Sequence, residues 1–544
     1  VVRRIPALGG TIGAVLFYCV SLTPSLLPRP WWLQAVVAAV TAAVGYGLGA
    51  LIGWAVRAAG LRPSARATFV SWIAVLALGL AATVAVTVRA VDWQDGLRRL
   101  MDMDPHVAWW QWTLVPILAF LLCALFVVIG RAIRLGARAV ARLLSRFIGP
   151  RVAAAVAAAL TGVIVAGLVQ GFLIQGLLAV AESSASLANG GTSAGIVEPT
   201  LPTLSGGPHS LVSWSSLGAK GRDFIGKAPT RSQIAALTDV PAMDPIRVYV
   251  GLASASTLKE RADLAVAELE RTGAFQRKAL VVFATTGSGW VNENLAKPVE
   301  FMYDGDSALV AMQYSYLPSW ISFLTEGEAG DAGVALFDAV YAHWSTLPPD
   351  ARPRLMVSGE SLGSYATEEA FGGHLSDVLA RSDGAVLIGP TPQNPVWAAV
   401  TGGRDPGSPV WRPIYRRGVS VRFAHRAADL ASPAAPWNEP RVVYLENGSD
   451  PVTWWVPDLI WDKPAWLNGK RAPDVSAGMG WYPLVTFWQV TCDLAGANGV
   501  PDGFGHRFGT LPTAAWDSVA QPQGWSDADT VRLDALLVEE SERH

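Results

Sequence analysis

A serine hydroxyl becomes a nucleophile only when a base takes its proton, so the serines of interest are those whose surroundings hold them clear of the chain. Ser361 lies in Arg354-Leu355-Met356-Val357-Ser358-Gly359-Glu360-Ser361-Leu362-Gly363-Ser364-Tyr365-Ala366, where an apolar run meets Gly-x-Ser-x-Gly and then a helix-like segment. In such a strand-turn-helix a Cβ at Gly359 or Gly363 collides with neighbouring backbone, and the two glycines let the serine stand above the sheet. A second copy, Gly191-Thr192-Ser193-Ala194-Gly195, follows a polar run with no strand before it and no helix pattern after it. Ser193 therefore reads as a loop serine, and Ser361 as the nucleophile.

Chain order selects the partners. Where this elbow carries a triad, the order is serine, acid, histidine. His106, His209 and His343 precede Ser361, and His374 and His425 precede the acid, which leaves His506 and His544. His544 is the last residue, whereas His506 sits in Gly503-Phe504-Gly505-His506-Arg507-Phe508-Gly509, a glycine-flanked loop able to bring an imidazole onto a serine. His506 is the expected base, and His425 is expected to be structural. The strand-like Arg441-Val442-Val443-Tyr444-Leu445 runs into Glu446-Asn447-Gly448-Ser449-Asp450-Pro451, a turn that delivers a carboxylate to the same edge. Asp450 is the expected acid, Glu446 is the alternative, and Asp458 and Asp462 are less well placed.

A tetrahedral intermediate needs two N–H donors for its oxyanion. The residue after the nucleophile, Leu362, supplies one, and the loop after the buried run Leu280-Val281-Val282-Phe283-Ala284 supplies the other from Thr286 or Gly287. Gly287-Ser288-Gly289 does not make a phosphate loop, because no lysine or helix start follows in register.

The elements that must position these residues come from 243–544, where β-branched runs alternate with helical segments and predict a mostly parallel sheet with helices on both faces. Strands are expected at 246–251, 278–284, 307–313, 354–358, 384–388, 419–423 and 441–445, with helices at 257–272, at 332–345 and after Ser361. Residues 183–242, rich in Ser, Gly, Pro and Thr, read as a linker. After Asp450 the tryptophans 454, 455, 461, 466, 481 and 488 crowd one segment, which reads equally as a loop core and as an apolar acyl-binding or membrane-facing surface.

Composition explains the first third. The chain is 51% hydrophobic and only 16% charged, too apolar for an ordinary soluble enzyme, and a net charge of −2 does not point to nucleic acid. The three cysteines are far apart and support no disulfide, zinc or redox motif, and no cofactor or metal signature is present. Residues 1–182 read as a transmembrane helical domain of about five spans, near 7–27, 31–56, 67–88, 107–130 and 152–181. Tryptophans 31, 32, 93, 109, 110 and 112 fall at or near the ends of these spans, where indoles favour the headgroup layer. Arginines 3 and 4, 57, 62 and 66, and 131 through 151 occupy alternate loops, which places the N-terminus in the cytoplasm and everything after Glu182 outside. Arg131, Arg134, Arg138, Arg142 and Arg146 recur at helical spacing and read as a basic face on anionic headgroups. No span carries a charge at mid-depth, which argues against transport.

Five apolar spans followed by Gly359-Glu360-Ser361-Leu362-Gly363, Gly448-Ser449-Asp450-Pro451 and Gly505-His506-Arg507-Phe508-Gly509 resemble the membrane-embedded α/β-hydrolase family of actinobacteria. The resemblance spans nearly the whole chain and implies an N-terminal transmembrane α-helical bundle followed by an α/β-hydrolase domain with serine-hydrolase activity at the cell membrane. One departure is that no clear strand lies between Asp450 and His506, where that fold usually has one. The family name carries no substrate; the leading expectation is cleavage of an ester or thioester, with the lipid bilayer as partner and an acylated lipid or other ester as substrate. Acyl transfer to an envelope lipid or glycan would use the same triad, and a silent scaffold built on the hydrolase shell is the alternative from another class. The arginine pattern makes one expectation testable: in intact spheroplasts, added protease should remove a tag at the C-terminus and spare one at the N-terminus. A protected C-terminal tag would overturn the orientation.

Overall fold

The computed structural model describes residues 6–61, 64–168, 185, 188–317 and 326–542. Arg3, Arg4, Arg62, residues 169–181 of the fifth expected span, and His544 lie outside the described residues. The chain forms two compact units, Val1–Leu177 with Trp455–Gly505, and Leu178–Trp454 with His506–His544.

In the first unit, three of the described helices are long and apolar enough to cross a bilayer: Trp31–Ala58, Ala65–Leu100 and Trp109–Leu144. Phe69, Leu76, Leu78, Phe120 and Leu121 on them are exposed. Water rarely tolerates such a surface, and it suggests membrane association. The first expected span is shorter than the sequence indicated. Its helix, Leu8–Ser21, has 14 residues, about 21 Å at 1.5 Å per residue and short of a bilayer core of about 30 Å. Pro24, Pro28 and Pro30 keep the following residues out of the helix. The third helix instead runs on to Leu100. The arginine stripe is also no separate element. Arg131, Arg134, Arg138 and Arg142 continue the helix Leu114–Leu144, since the isolated Gly130 and Gly136 do not suffice to break it.

Small residues let the first two helices meet backbone to backbone. A Cβ on Gly13 would lie 2.1 Å from the Gly45 carbonyl oxygen, and one on Gly49 would lie 2.0 Å from that of Gly9. Both helices thus carry a Gly-x-x-x-Gly face. The segment Trp455–Gly505 joins this unit through its helix Val485–Asp493. Buried Asp493 accepts from Arg29 Nε at 2.7 Å, from the Leu26 N–H at 3.1 Å and from the Ser25 hydroxyl. Arg29 also donates to Gln34 Oε1, and Gln489 Nε2 donates to the carbonyls of Ser21 and Thr23. The tryptophans here mostly pack the segment itself: Trp466 is buried, Trp455 lies against Phe487 and bonds to Thr491, and Trp481 bonds to the Leu459 carbonyl. Trp461 is exposed.

The second unit is built on seven strands, β1 (Ile246–Val250), β2 (Ala279–Ala284), β3 (Ser307–Met312), β4 (Arg354–Glu360), β5 (Gly384–Ile388), β6 (Val421–Ala424) and β7 (Arg441–Leu445). All pairings are parallel, in the order β1-β3-β2-β4-β5-β7-β6. The seven expected strands are all present. The register sets Ala284 beside Gly359, Glu360 beside Ile388, and Ile388 beside Leu445, so four loops leave the sheet at one edge. As the sequence indicated, no strand among the described residues lies between Asp450 and His506. The outer edge of β7 is covered instead by β6, which precedes it in the chain.

The stretch expected as a linker is largely ordered. Leu204 bridges Arg247 of β1, and the helix Gly218–Gly226 buries Phe224 and Ile225. The helix Arg231–Thr238 starts at a capping box of Thr230 and Gln233 and buries Ile234. A few apolar anchors thus outweigh a loop-like composition.

The buried ion pair of the first unit gives a stability prediction. Asp493→Ala strands Arg29 without a counter-charge and should cost about 3–5 kcal/mol, whereas replacing Arg29 and Asp493 together by Met and Leu should recover most of that. Thermal unfolding in detergent checks it, and equal losses in the single and double variants would refute it.

Candidate active site

The elbow is built as the sequence requires. A Cβ on Gly359 would lie 2.2 Å from the Gly363 carbonyl oxygen, and one on Gly363 would lie 2.3 Å from that of Ala284. Between them Ser361 holds φ 57° and ψ −122°, a strained conformation for a residue with a Cβ. Its N–H donates to the Ile388 carbonyl at 2.9 Å, which ties the turn to the end of β5. The next residue, Gly389, has φ +52°, and a Cβ there would touch the His506 ring at 2.4 Å. Ser361 and His506 therefore both border the end of β5.

His506 Nδ1 is 2.6 Å from Asp450 Oδ2, and both side chains are buried. Asp450 follows β7 by a turn closed from its own N–H to the Asn447 carbonyl, and its carboxylate also accepts from the Val452 N–H at 2.8 Å. Asn447 Nδ2 donates to the Arg507 carbonyl, joining this turn to the histidine loop. Asp450 is thus fixed by the backbone around it. Burial alone would lower the basicity of His506, but the charge and hydrogen bond of Asp450, helped by the charge of Glu360, outweigh it and raise the imidazole above its ordinary value.

The other sequence candidates fall elsewhere. Glu446 is buried and accepts from Trp397 Nε1 at 2.8 Å, and burial followed by repulsion from Asp450 pushes its carboxyl well above the usual range. Asp458 and Asp462 are exposed and belong to the other compact unit. His425 Nδ1 is held by Asn447 Oδ1 at 2.8 Å. Ser193 lies in an exposed segment, with no strand before it among the described residues.

Leu362 begins the helix Leu362–Glu369, so its N–H has no partner within that helix. In the loop after β2, Thr286 already donates its N–H to the Trp290 carbonyl at 3.1 Å. Of the two expected donors from that loop, Thr286 therefore has its N–H engaged within the loop itself.

Sequence reasoning did not single out Asn292, Asn294 or Gly389, and it quoted Glu360 only as the variable residue of the pentapeptide. Asn292 donates to Glu360 Oε2 at 2.7 Å and Asn294 donates to the Gly509 carbonyl at 3.0 Å. The available signal was Asn292 before a helical segment, the mark of an N-cap.

A seven-stranded parallel sheet with a serine on a strained turn after one strand, an acid after another and a histidine beyond them defines the α/β-hydrolase class. Residues 246–533 match the model of the Alpha/beta-hydrolase family, and residues 22–229 match that of the Alpha/beta-hydrolase family N-terminus. The chain belongs to this family, which supports a hydrolase-type function. No curated protein and no solved structure matches it.

The pairing of Asp450 and His506 fixes the direction of a titration. Removing the negative charge in Asp450→Asn takes away what raises the imidazole, so His506 should titrate at lower pH than in the parent. Imidazole Cε1–H shifts followed by NMR check this, and an unchanged or higher midpoint would contradict the pairing.

Proposed function

We propose that the protein is a membrane-anchored serine hydrolase that cleaves an ester or thioester through an acyl-enzyme. The observation that carries this reading is the buried 2.6 Å contact of His506 with Asp450 at the sheet edge from which Ser361 emerges. With Nδ1 turned to Asp450, Nε2 of His506 is the nitrogen available to the Ser361 hydroxyl.

In this reading Ser361 Oγ bonds to the acyl carbon while its proton passes to His506 Nε2. The oxyanion is held by the N–H groups of Leu362 and Gly287. The bond to the leaving group then breaks, and His506 returns the proton to the departing alcohol or thiol. Water follows the same path, and its attack releases the acid and restores the serine. Asp450 stabilises the imidazolium and holds its tautomer throughout.

Three long apolar helices with exposed apolar faces support a bilayer as the partner. The arginine distribution supports a cytoplasmic N-terminus and a catalytic domain outside. An ester of a membrane lipid is the substrate class that such an anchor would meet at highest concentration.

Ser361→Ala should abolish fluorophosphonate labelling, and Ser193→Ala should leave it intact. Asp450→Asn and His506→Ala should each lower ester turnover by roughly a thousandfold or more, and the double variant should lose little beyond His506→Ala, because members of a triad act as a unit. Glu446→Gln should stay close to the parent. Normal turnover in His506→Ala would remove the triad, and loss in Glu446→Gln with normal turnover in Asp450→Asn would move the acid.

A further inference from the structure

The helix Glu293–Met302 starts at two asparagines that touch both halves of the site. Asn292 Oδ1 accepts from the Asn294 N–H at 2.9 Å and so caps the helix, while its Nδ2 donates to Glu360 Oε2 at 2.7 Å. Asn294 Nδ2 donates to the Gly509 carbonyl at 3.0 Å. Glu360 directly precedes Ser361, and Gly509 closes the loop in which Phe508 meets His506 edge-on at 5.7 Å. One helix start therefore grips the nucleophile turn with one amide and the histidine loop with the next.

We propose that Asn292 and Asn294 are positioning residues that hold the Ser361 turn and the His506 loop in register, and that Glu360 is a second carboxylate stabilising the imidazolium formed when His506 accepts the serine proton. The inference rests on the serine-hydrolase reading above. Its physical core is the partner of Glu360. An arginine or lysine there would cancel the carboxylate charge, whereas a neutral amide satisfies one oxygen and leaves the charge to act on its surroundings. Glu360 is buried, so that field is weakly screened.

Asp450 from the turn after β7, Gly389 from the end of β5 and Phe508 from its own loop lie against His506, and Glu360, paired across the sheet with Ile388 one residue before Gly389, is near enough for its charge to act on the imidazole. Of these four residues two are acidic and none is basic. Burial pushes the Glu360 carboxyl above its usual range, while the charge of His506 and the hydrogen bond from Asn292 pull it back and Asp450 opposes them. Asn292 thus helps to keep Glu360 ionised when His506 takes up its proton.

The test uses the full chain in detergent micelles and follows the rate of fluorophosphonate labelling against pH. Glu360→Gln keeps an acceptor for Asn292 and removes the charge. The imidazole then loses a proton more readily, so the acid limb of the profile should fall by about one pH unit, with labelling above it roughly tenfold slower. Asn292→Ser keeps a cap for the Asn294 N–H but has no amide to offer Glu360. It should melt above Asn292→Ala, which loses the cap as well, and should still move the acid limb downward. Asn294→Ala should slow the chemical step several-fold with unchanged probe affinity. An acid limb unmoved in both Glu360→Gln and Asn292→Ser, or full recovery of the labelling rate by Asn292→Ser, overturns the proposal. Labelling that persists in Ser361→Ala overturns instead the reading on which it rests.

Discussion

The site depends on one close approach of backbone to backbone. Gly363 rides over the Ala284 carbonyl, and Gly359 lies under the carbonyl of Gly363, each at a distance that leaves no room for a side chain. This brings β2, β4 and the helix Leu362–Glu369 into a single knot and forces Ser361 to a positive φ. A residue with a Cβ held there carries strain of about 1–3 kcal/mol, which persists only where the surroundings over-determine it. Here they do: strands β2, β4 and β5 are buried almost throughout, and the Ser361 N–H is bound to the Ile388 carbonyl. The same strand end continues into Gly389, whose missing side chain is the space the His506 ring occupies.

What was legible in the sequence was what local physics decides. A parallel strand buried on both faces reads as a continuous apolar run, so all seven strands were recoverable, and the elbow carries its glycines at fixed offsets. Strand order was not legible, because the placement of β6 outside β7 is set by a crossover and not by any residue within either strand. Asp450 and His506 could be reached by chain order and turn chemistry, and the structure brings them together. Glu360, Asn292 and Asn294 could not, since each matters through a contact far away in sequence. In the first unit the apolar stretches were visible but their ends were misjudged: prolines stop the helix at Ser21, and no breaker stops the third helix before Leu100. The stretch 183–242 looked like a linker because its anchors, Leu217, Phe224, Ile225 and Ile234, are few among many small polar residues.

Several buried carboxylates crowd this part of the second unit, and their environments differ. Glu368 accepts from Asn394 Nδ2, the Tyr444 hydroxyl and the backbone N–H groups of Val396 and Trp397, yet burial outweighs these donors and its carboxyl is pushed up to about 7. Those bonds serve to tie the loop after β5 to the helix that follows Ser361. Glu446 accepts from an indole, and burial drives it toward its neutral form as well. Asp450 differs from both in having a partner that can become cationic. A carboxylate that must remain charged to stabilise an imidazolium needs that kind of partner, which favours Asp450 over its neighbour four residues earlier.

The connection between Asp450 and His506 has an energetic consequence of its own. After Trp454 the chain leaves the second unit, and it returns only at His506. The contact between Asp450 and His506 closes a loop of 56 residues. Closing a flexible loop of that length costs about 3–4 kcal/mol before any constant term. One hydrogen bond to a charged group returns only about 1.5–3 kcal/mol, so the pair cannot hold the loop shut unaided. The body of the loop must be ordered independently, and within the first unit it is. Asp493 is bound by Arg29, Ser25 and the Leu26 N–H, and Gln489 by the carbonyls of Ser21 and Thr23. The residues at the end of the first apolar helix therefore lower the entropy of the segment that joins Asp450 to His506. Loosening Arg29 should weaken the contact of Asp450 with His506 through the chain itself, without any change at the strand ends where Ser361 is held.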